Sequence, residues 1–277
     1  GMDWQSIVPM ERALKDTDLS RAREVRLRPG QPLQALLPGG VWQGMHPLTT
    51  SEILQAAQAL SGYALAARTQ ELRQGFIPLA GGHRLGVCGR MGPGGMTEIS
   101  SLCVRMAHEI RGVGTAIFPQ VRNRSTLIAG PPGSGKTTLL RDLIRLHSEA
   151  GISVGVADER GEIAGCFQGA PQLDVGPCCD VITGGNKAEA LRLLLRAMSP
   201  RMLATDELGA PGEIAALAEA LRWGVRLLAT VHGGGLCDLR RRKTLSPLLG
   251  PGGFEQVVVL RGVGVPPEIE EAGKCGC

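Results

Sequence analysis

The chain has 277 residues, and 30 Lys plus Arg against 26 Asp plus Glu leave a formal charge of only +4, which excludes a strongly polybasic tail-type protein. Apolar residues make up 43%, too many for disorder, and 4 Phe, 3 Trp and 1 Tyr are too few for the aromatic platforms on which single-stranded nucleic acid stacks. Forty Gly and 18 Pro without a period exclude collagen and forecast many tight turns.

At roughly 100 to 200 residues per domain, this length predicts two domains. The chain opens Gly1-Met2-Asp3-Trp4, without the basic, apolar and small-residue order of a secretory leader, and the Gly ahead of Met2 reads as an expression scar. No stretch of about 20 apolar residues runs free of Gly, Pro or charge, so the expectation is a cytoplasmic protein with no membrane span. Eight Cys are thin on such a chain and read as reduced thiols. Neither Cys178-Cys179 nor Cys275-Gly-Cys277 has zinc-site spacing.

Residues 24–28 alternate polar and apolar, Pro29-Gly30 turns the chain, and residues 33–37 return, which predicts a β-hairpin. Ile53, Leu54, Ala57 and Leu60 recur at helical spacing behind Thr50 as N-cap, with an end near Ser61-Gly62. Short extended runs flank Gly81-Gly82, and another strand is predicted over 102–106. Residues 1–118 therefore read as a smaller α+β domain. From about residue 119, strands are predicted over 126–129, 154–157, 202–205, 227–231 and 257–260, with amphipathic helices over 136–148, 187–198 and 212–223. Residues 119–277 thus read as an α/β domain with a parallel sheet, which binds ligands at the carboxyl ends of its strands.

Gly130-Pro131-Pro132-Gly133-Ser134-Gly135-Lys136-Thr137 fits the pattern G-x-x-x-x-G-K-[ST] between a predicted strand and a predicted helix. Glycines let successive N–H groups turn inward on the α and β phosphates of a nucleotide, while the helix presents its positive end. Lys136 is expected to reach the β and γ phosphates of ATP, Thr137 to ligate magnesium, and Thr138 to close the binding stretch. A glycine-rich turn without a ligand is the alternative; Lys136 and Thr137 in register weigh against it.

Met202-Leu203-Ala204-Thr205-Asp206-Glu207 is an apolar strand ending in two carboxylates. Asp206 is assigned to the magnesium shell and Glu207 to activation of the attacking water. Asp158-Glu159-Arg160-Gly161-Glu162 ends another strand and supplies Glu159 as a further catalytic candidate, although a salt-bridged loop explains these charges equally well. Thr230-Val231-His232 ends a fourth strand ahead of three glycines, which suits His232 for sensing or for positioning water.

Asp158-x-x-Gly161 and Asn186-Lys187-Ala188-Glu189 imitate GTPase motifs. Glu stands where the base-reading Asp is needed, and the 22 positions from Lys136 to Asp158 leave no room for a switch loop with its strand. Leu60-Ser61-Gly62 precedes the phosphate loop, which disfavours a transporter ATPase. Arg240-Arg241-Arg242-Lys243 reads as a solvated helix face or subunit contact before an anion site. Arg26, Arg28, Arg84 and Arg105 either confer solubility or, in a ring, lend an arginine to a neighbour's γ-phosphate.

With these motifs placed, the sequence resembles the stage III sporulation protein AA family, relatives of the ATPases of type II and type IV secretion. The resemblance covers nearly the whole chain. It is carried by Glu24-Val25-Arg26-Leu27-Arg28-Pro29-Gly30-Gln31-Pro32, residues 75–86, the phosphate loop, residues 156–165, Met198-Ser199-Pro200, Thr205-Asp206-Glu207-Leu208-Gly209 and Thr230-Val231-His232-Gly233. It implies a RecA-like P-loop core behind an N-terminal domain, an acidic box at residues 158–162 and a histidine box at His232. It further implies a homo-oligomer, a hexameric ring, docked on membrane-embedded sporulation channel proteins at the mother-cell face of the forespore membrane, with peripheral membrane association through them. Pro78, Asn186 ahead of Lys187, and the Gly- and Cys-rich tail depart from the family pattern. The rival readings are an ATP-dependent assembly scaffold with little turnover and a RecA-type nucleic-acid motor; low charge and few aromatics argue against the second.

Overall fold

The computed structural model describes residues 2–9, 11, 14, 17–62, 71–72, 75–93 and 95–273. The chain divides into two compact units, residues 1–108 with 165–172 and residues 109–164 with 173–277.

The first unit opens with the short helix α1 (Trp4–Ile7) and continues with β1 (Glu24–Leu27), β2 (Pro32–Leu37), β3 (Gly40–Pro47), α2 (Thr50–Leu60), β4 (Phe76–Pro78), β5 (Arg84–Gly92) and β6 (Gly95–Arg105). Its strands form one antiparallel sheet in the order β3-β2-β1-β6-β5-β4. The expected hairpin is β1–β2, with Val25 opposite Ala35. Alternation puts Val25, Leu27, Leu33, Ala35, Leu85 and Val104 in one core with Ile53, Ala56 and Ala57 of α2.

Helix α2 begins one residue earlier than the spacing suggested, because its N-cap is Thr49. Thr49 Oγ1 accepts from the Glu52 N–H at 3.2 Å, and the Glu52 carboxylate accepts from the Thr49 N–H at 2.7 Å. A cap at Thr50 would have placed Ile53 at the reciprocal position, where only Glu or Gln can close this box. Strand β3 was not foreseen, for its largely exposed edge position imposes little alternation. Of the scattered arginines, Arg26 pairs with Glu24 at 2.8 Å, Arg28 donates to Gln34 at 2.6 Å, and Arg84 lies over the Phe76 ring.

The second unit holds α3 (Phe118–Val121), β7 (Thr126–Gly130), α4 (Lys136–Glu149), β8 (Val154–Asp158), β9 (Cys179–Thr183), α5 (Lys187–Met198), β10 (Met202–Thr205), α6 (Pro211–Arg222), β11 (Arg226–His232), α7 (Leu236–Arg240), α8 (Ser246–Leu249), β12 (Gln256–Val259) and β13 (Glu268–Glu271). The sheet order is β13-β12-β7-β11-β10-β8-β9, parallel except for β13 at one edge. Leu127, Ala129, Leu203, Leu227, Ala229, Val257 and Val259 face Leu191, Leu194 and Leu217 of α5 and α6. Ile128, Val156, Leu228 and Val258 alternate with them and are equally buried, as a sheet covered on both faces requires.

Residues 109–118, placed by sequence with the N-terminal part, belong to this unit. The Gly114 N–H donates to Asp142 Oδ2 of α4 at 2.8 Å and anchors the segment there. Cys88, Cys103 and Cys178 are reduced thiols, as expected; Cys237 is disulfide-bonded and departs from that expectation. Cys275 and Cys277 lie outside the described residues.

Candidate functional site

The parallel register brings four strand ends together. Thr205 is level with Ala157 and Ala229, and His232 is level with Gly130. The residues that follow, or end, these strands are the polar ones singled out by sequence.

Gly130 ends β7, and the loop over Pro131, Pro132, Gly133 and Ser134 leads into α4. Gly133 and Gly135 take φ of 73° and 93°, values that a side chain would oppose. Gly135 is the N-cap of α4, and no side chain caps the helix, so the first-turn N–H groups are left for an anion. Lys136 is buried, and its Nζ donates to the Pro131 carbonyl at 2.8 Å, across the loop that it would otherwise extend over. Burial lowers its pKa, and Glu207 opposes that shift. Ser134 Oγ is buried and meets no hydrogen-bond partner among the described residues. Thr137 and Thr138 stand in the first turn of α4, both partly exposed. A cleft of about 570 Å³ lined by Pro131, Pro132, His232, Gly233, Leu260 and Arg261 adjoins this loop.

Asp206 follows β10 and is 1% exposed, with Oδ2 unpartnered among the described residues. Burial first, then the nearby Asp158, pushes its carboxyl up to about 7, while Lys187 pulls the other way. Glu207 adopts a left-handed φ of 46°, which costs a non-glycine residue roughly 1 to 2 kcal/mol. The cost is met by fixed neighbours. The Glu207 N–H donates to Thr230 Oγ1 at 2.8 Å, the Leu208 N–H to the Thr230 carbonyl at 2.8 Å, and Lys187 Nζ donates to the carbonyls of Asp206 at 2.8 Å and Glu207 at 3.2 Å. The Glu207 carboxylate accepts from Arg160 Nη1 at 2.5 Å and lies 3.6 Å from His232 Nε2.

The acidic segment divides its work. Asp158, fully buried, accepts the N–H groups of Glu162, Ile163 and Ala164, so it organises its own loop. Arg160 reaches Glu207, whereas Glu159 pairs with Lys187 at 3.7 Å. His232 is exposed, and its carbonyl accepts from Arg242 Nη1 at 2.6 Å. Arg240 likewise donates to the Ala272 carbonyl, so half of the basic run is bound to backbone.

The geometry therefore gathers Lys136, Glu207, His232 and the phosphate loop, and sets Asp206 beside them. Two residues that sequence reasoning left outside the site belong to its frame: Lys187, read as part of a GTPase look-alike, and Arg141 in α4, whose guanidinium donates to the carbonyls of Glu162 and Ile163 at 2.6 Å. Arg141 sits among apolar positions of α4, and no spacing signal marks it. Lys187 carried one: a cation at the first position of a helix opposes the helix dipole and calls for a partner.

A sequence profile of the family Sporulation stage III, protein AA, matches residues 8–273. The chain belongs to that family. Among members of the Sporulation stage III, protein AA family, the Stage III sporulation protein AA of Bacillus subtilis (strain 168) is 36% identical over 250 residues, covering 86% of this chain and 81% of the relative. Two solved structures extend the likeness to this family member's fold. The Legionella pneumophila ATPase DotB matches with a TM-score of 0.62 and 17% identity over 92% of this chain and 76% of its own. The pilus retraction motor PilT, solved with bound ADP, matches with a TM-score of 0.66 and 14% identity over 95% and 80%. The expected fold class is thus found: an α/β unit with a parallel sheet that shares the fold of DotB and PilT, together with an N-terminal sheet domain.

Proposed function

We propose that this family member binds MgATP over residues 130–138 and hydrolyses it as a motor of the secretion-ATPase type. The observation that carries the reading is the pairing of two orphaned buried oxygens, Ser134 Oγ and Asp206 Oδ2, with a left-handed Glu207 at the same strand ends. Orphaned polar atoms in a dry site cost free energy unless a ligand meets them.

The residues fit both nucleotide and metal. N–H groups of the glycine turn and of the uncapped α4 would cradle phosphate oxygens, and Lys136 would exchange the Pro131 carbonyl for them. Among the described residues no cluster of three or more His, Cys, Asp or Glu can hold a metal, so Thr137 and Asp206 would be the protein's share of a magnesium shell completed by phosphates and water. When bound, magnesium supplies charge neutralisation and alignment of the phosphates. Glu207, once released from Arg160, accepts a proton from water, and His232 stands beside it to orient that water. Glu159, turned toward Lys187, acts on the site through that lysine.

In its cellular setting, the family and fold support an ATPase at the mother-cell face of the forespore membrane. There it energises a channel complex as a homo-oligomer, a six-membered ring, associating with membrane through embedded sporulation partners. No helix of the described residues is long and apolar enough to cross a membrane.

Magnesium-dependent ATP turnover by the purified chain tests the reading. Lys136→Ala should abolish binding and turnover, and Glu207→Gln should bind normally but lose about 10²-fold or more in turnover. Normal ATP binding by Lys136→Ala, or wild-type turnover by Glu207→Gln, overturns it. The short Arg160–Glu207 contact favours one second reading, a scaffold that binds ATP and assembles with little turnover. Single-turnover kinetics with membrane partners present separates the two.

A further inference from the structure

Lys187 is buried at 6% exposure at the first position of α5, where both desolvation and the positive end of the helix disfavour an ammonium group. It is nevertheless well partnered. Nζ donates to the Asp206 carbonyl at 2.8 Å and the Glu207 carbonyl at 3.2 Å, and pairs with Glu213 Oε1 at 3.4 Å and Glu159 Oε2 at 3.7 Å. The other oxygen of Glu213 accepts the N–H groups of Gly209 at 3.1 Å and Ala210 at 3.2 Å.

One ion pair therefore grips the loop after β10 along its length, carbonyls at residues 206 and 207 by the cation and N–H groups at 209 and 210 by the anion. The left-handed Glu207 is itself one of the gripped residues. We propose that Lys187 is a positioning residue for the hydrolytic step, holding the main chain of Asp206 and Glu207 so that the Glu207 carboxylate faces the phosphate loop, with Glu213 as its fixed counter-charge. The inference rests on the ATPase reading above and adds to it a residue that acts through the main chain of its neighbours.

Several alternatives fail on the same geometry. A phosphate-binding role would require Nζ to leave two main-chain carbonyls and two carboxylates at once, whereas Lys136 has a single carbonyl to give up. A simple helix-joining ion pair would not place two of three donors on consecutive carbonyls beside the catalytic candidate. The contact with Glu159 further ties this lysine to the loop after β8, so both acidic loops meet at one cation.

The experiment compares kcat for ATP with the equilibrium Kd of a fluorescent ATP analogue in full-length wild type, Lys187→Met, Lys187→Arg and the double variant Lys187→Met/Glu213→Gln. The last removes both members of the Lys187–Glu213 ion pair and covers the case in which Lys187→Met does not fold. Misplacing a catalytic group by about 1 Å lowers rate by about 10²-fold, so kcat should fall by one to two orders of magnitude while Kd stays within about twofold. Lys187→Arg, which can reach the same carbonyls, should recover part of the loss. Turnover within twofold of wild type in the double variant overturns the proposal, as does a parallel loss of binding and turnover. Wild-type protein without turnover sinks the ATPase reading and this inference together; active wild type with equally active Lys187 variants sinks this inference alone.

Discussion

Arg141 and Asp158 hold one loop from opposite sides: the carboxylate accepts the N–H groups of Glu162, Ile163 and Ala164 at 2.8 to 3.1 Å, and the guanidinium donates to the carbonyls of Glu162 and Ile163 at 2.6 Å. Both side chains are buried. Burial lowers the Arg141 pKa, and Asp158 counters it first among the neighbouring charges. Because Arg141 lies in α4, the helix that leaves the phosphate loop is fastened to the loop that carries Arg160. Lys187 and Glu213 repeat the device one strand away.

Asp158→Ala should therefore act on stability before activity. It strands three N–H groups, two of them buried, and takes the first counter-charge from the buried Arg141, and losing one partner of a buried charged network typically costs about 3 to 5 kcal/mol. Urea denaturation of the protein without nucleotide measures this directly. A loss below about 1 kcal/mol would mean that the loop does not depend on this carboxylate.

The contact between Arg160 and Glu207 should behave differently. The Arg160 side chain is 57% exposed, and exposed pairs contribute at most about 1 kcal/mol even at short range. A double-mutant cycle of Arg160→Ala and Glu207→Gln, followed by urea denaturation, should give a coupling of about 1 kcal/mol or less, and less still at high salt. A coupling of several kcal/mol would make this contact a structural lock.

Much of this arrangement was legible in the sequence, and the exceptions share a cause. The strands β7, β8, β10, β11 and β12 are runs of apolar residues bounded by polar ends, so pattern alone marked them and the side chains at their tips. β13 is Glu268-Ile269-Glu270-Glu271, a poor strand by propensity. Its carboxylates are each committed elsewhere: Glu268 to Arg261, Glu270 to the Leu236 N–H and Glu271 to Arg124. Likewise, Lys187 and Arg141 act through main-chain carbonyls that a motif cannot reveal. Side chain to side chain chemistry leaves a pattern in sequence; side chain to backbone chemistry seldom does.

Gly130 offers a sharp test of the loop. A Cβ added there would lie 2.6 Å from Ser134 Oγ and 2.7 Å from the Leu260 carbonyl. The hydroxyl can rotate, but the carbonyl is fixed, since the Leu260 N–H donates to Ala129 at 2.8 Å. Gly130→Ala should shift the loop, weaken ATP binding by at least tenfold and destabilise the fold by about 1 to 3 kcal/mol. Isothermal titration and thermal melting report the two effects, and unchanged affinity would show that the turn tolerates the displacement.

Asp206 gives stability a pH dependence whose sign is opposite to that of an ordinary salt-bridged carboxylate. Its ordinary value is 3.8, and burial with Asp158 nearby raises it to about 7 in the folded chain. Between these values the unfolded chain has released the proton that the folded chain still holds, so stability falls as pH rises from about 4 to about 7 and levels off above. Each pH unit in that window is worth about 1.4 kcal/mol for a single group. Asp206→Asn carries no titratable proton and escapes the loss. Melted without nucleotide, it should match wild type near pH 4.5 and exceed it at pH 8 by an amount on the order of 1 to 4 kcal/mol. A difference that stays constant between those two pH values would show that Asp206 titrates in the ordinary carboxylate range, and that its buried oxygen does not bear the strain assigned to it.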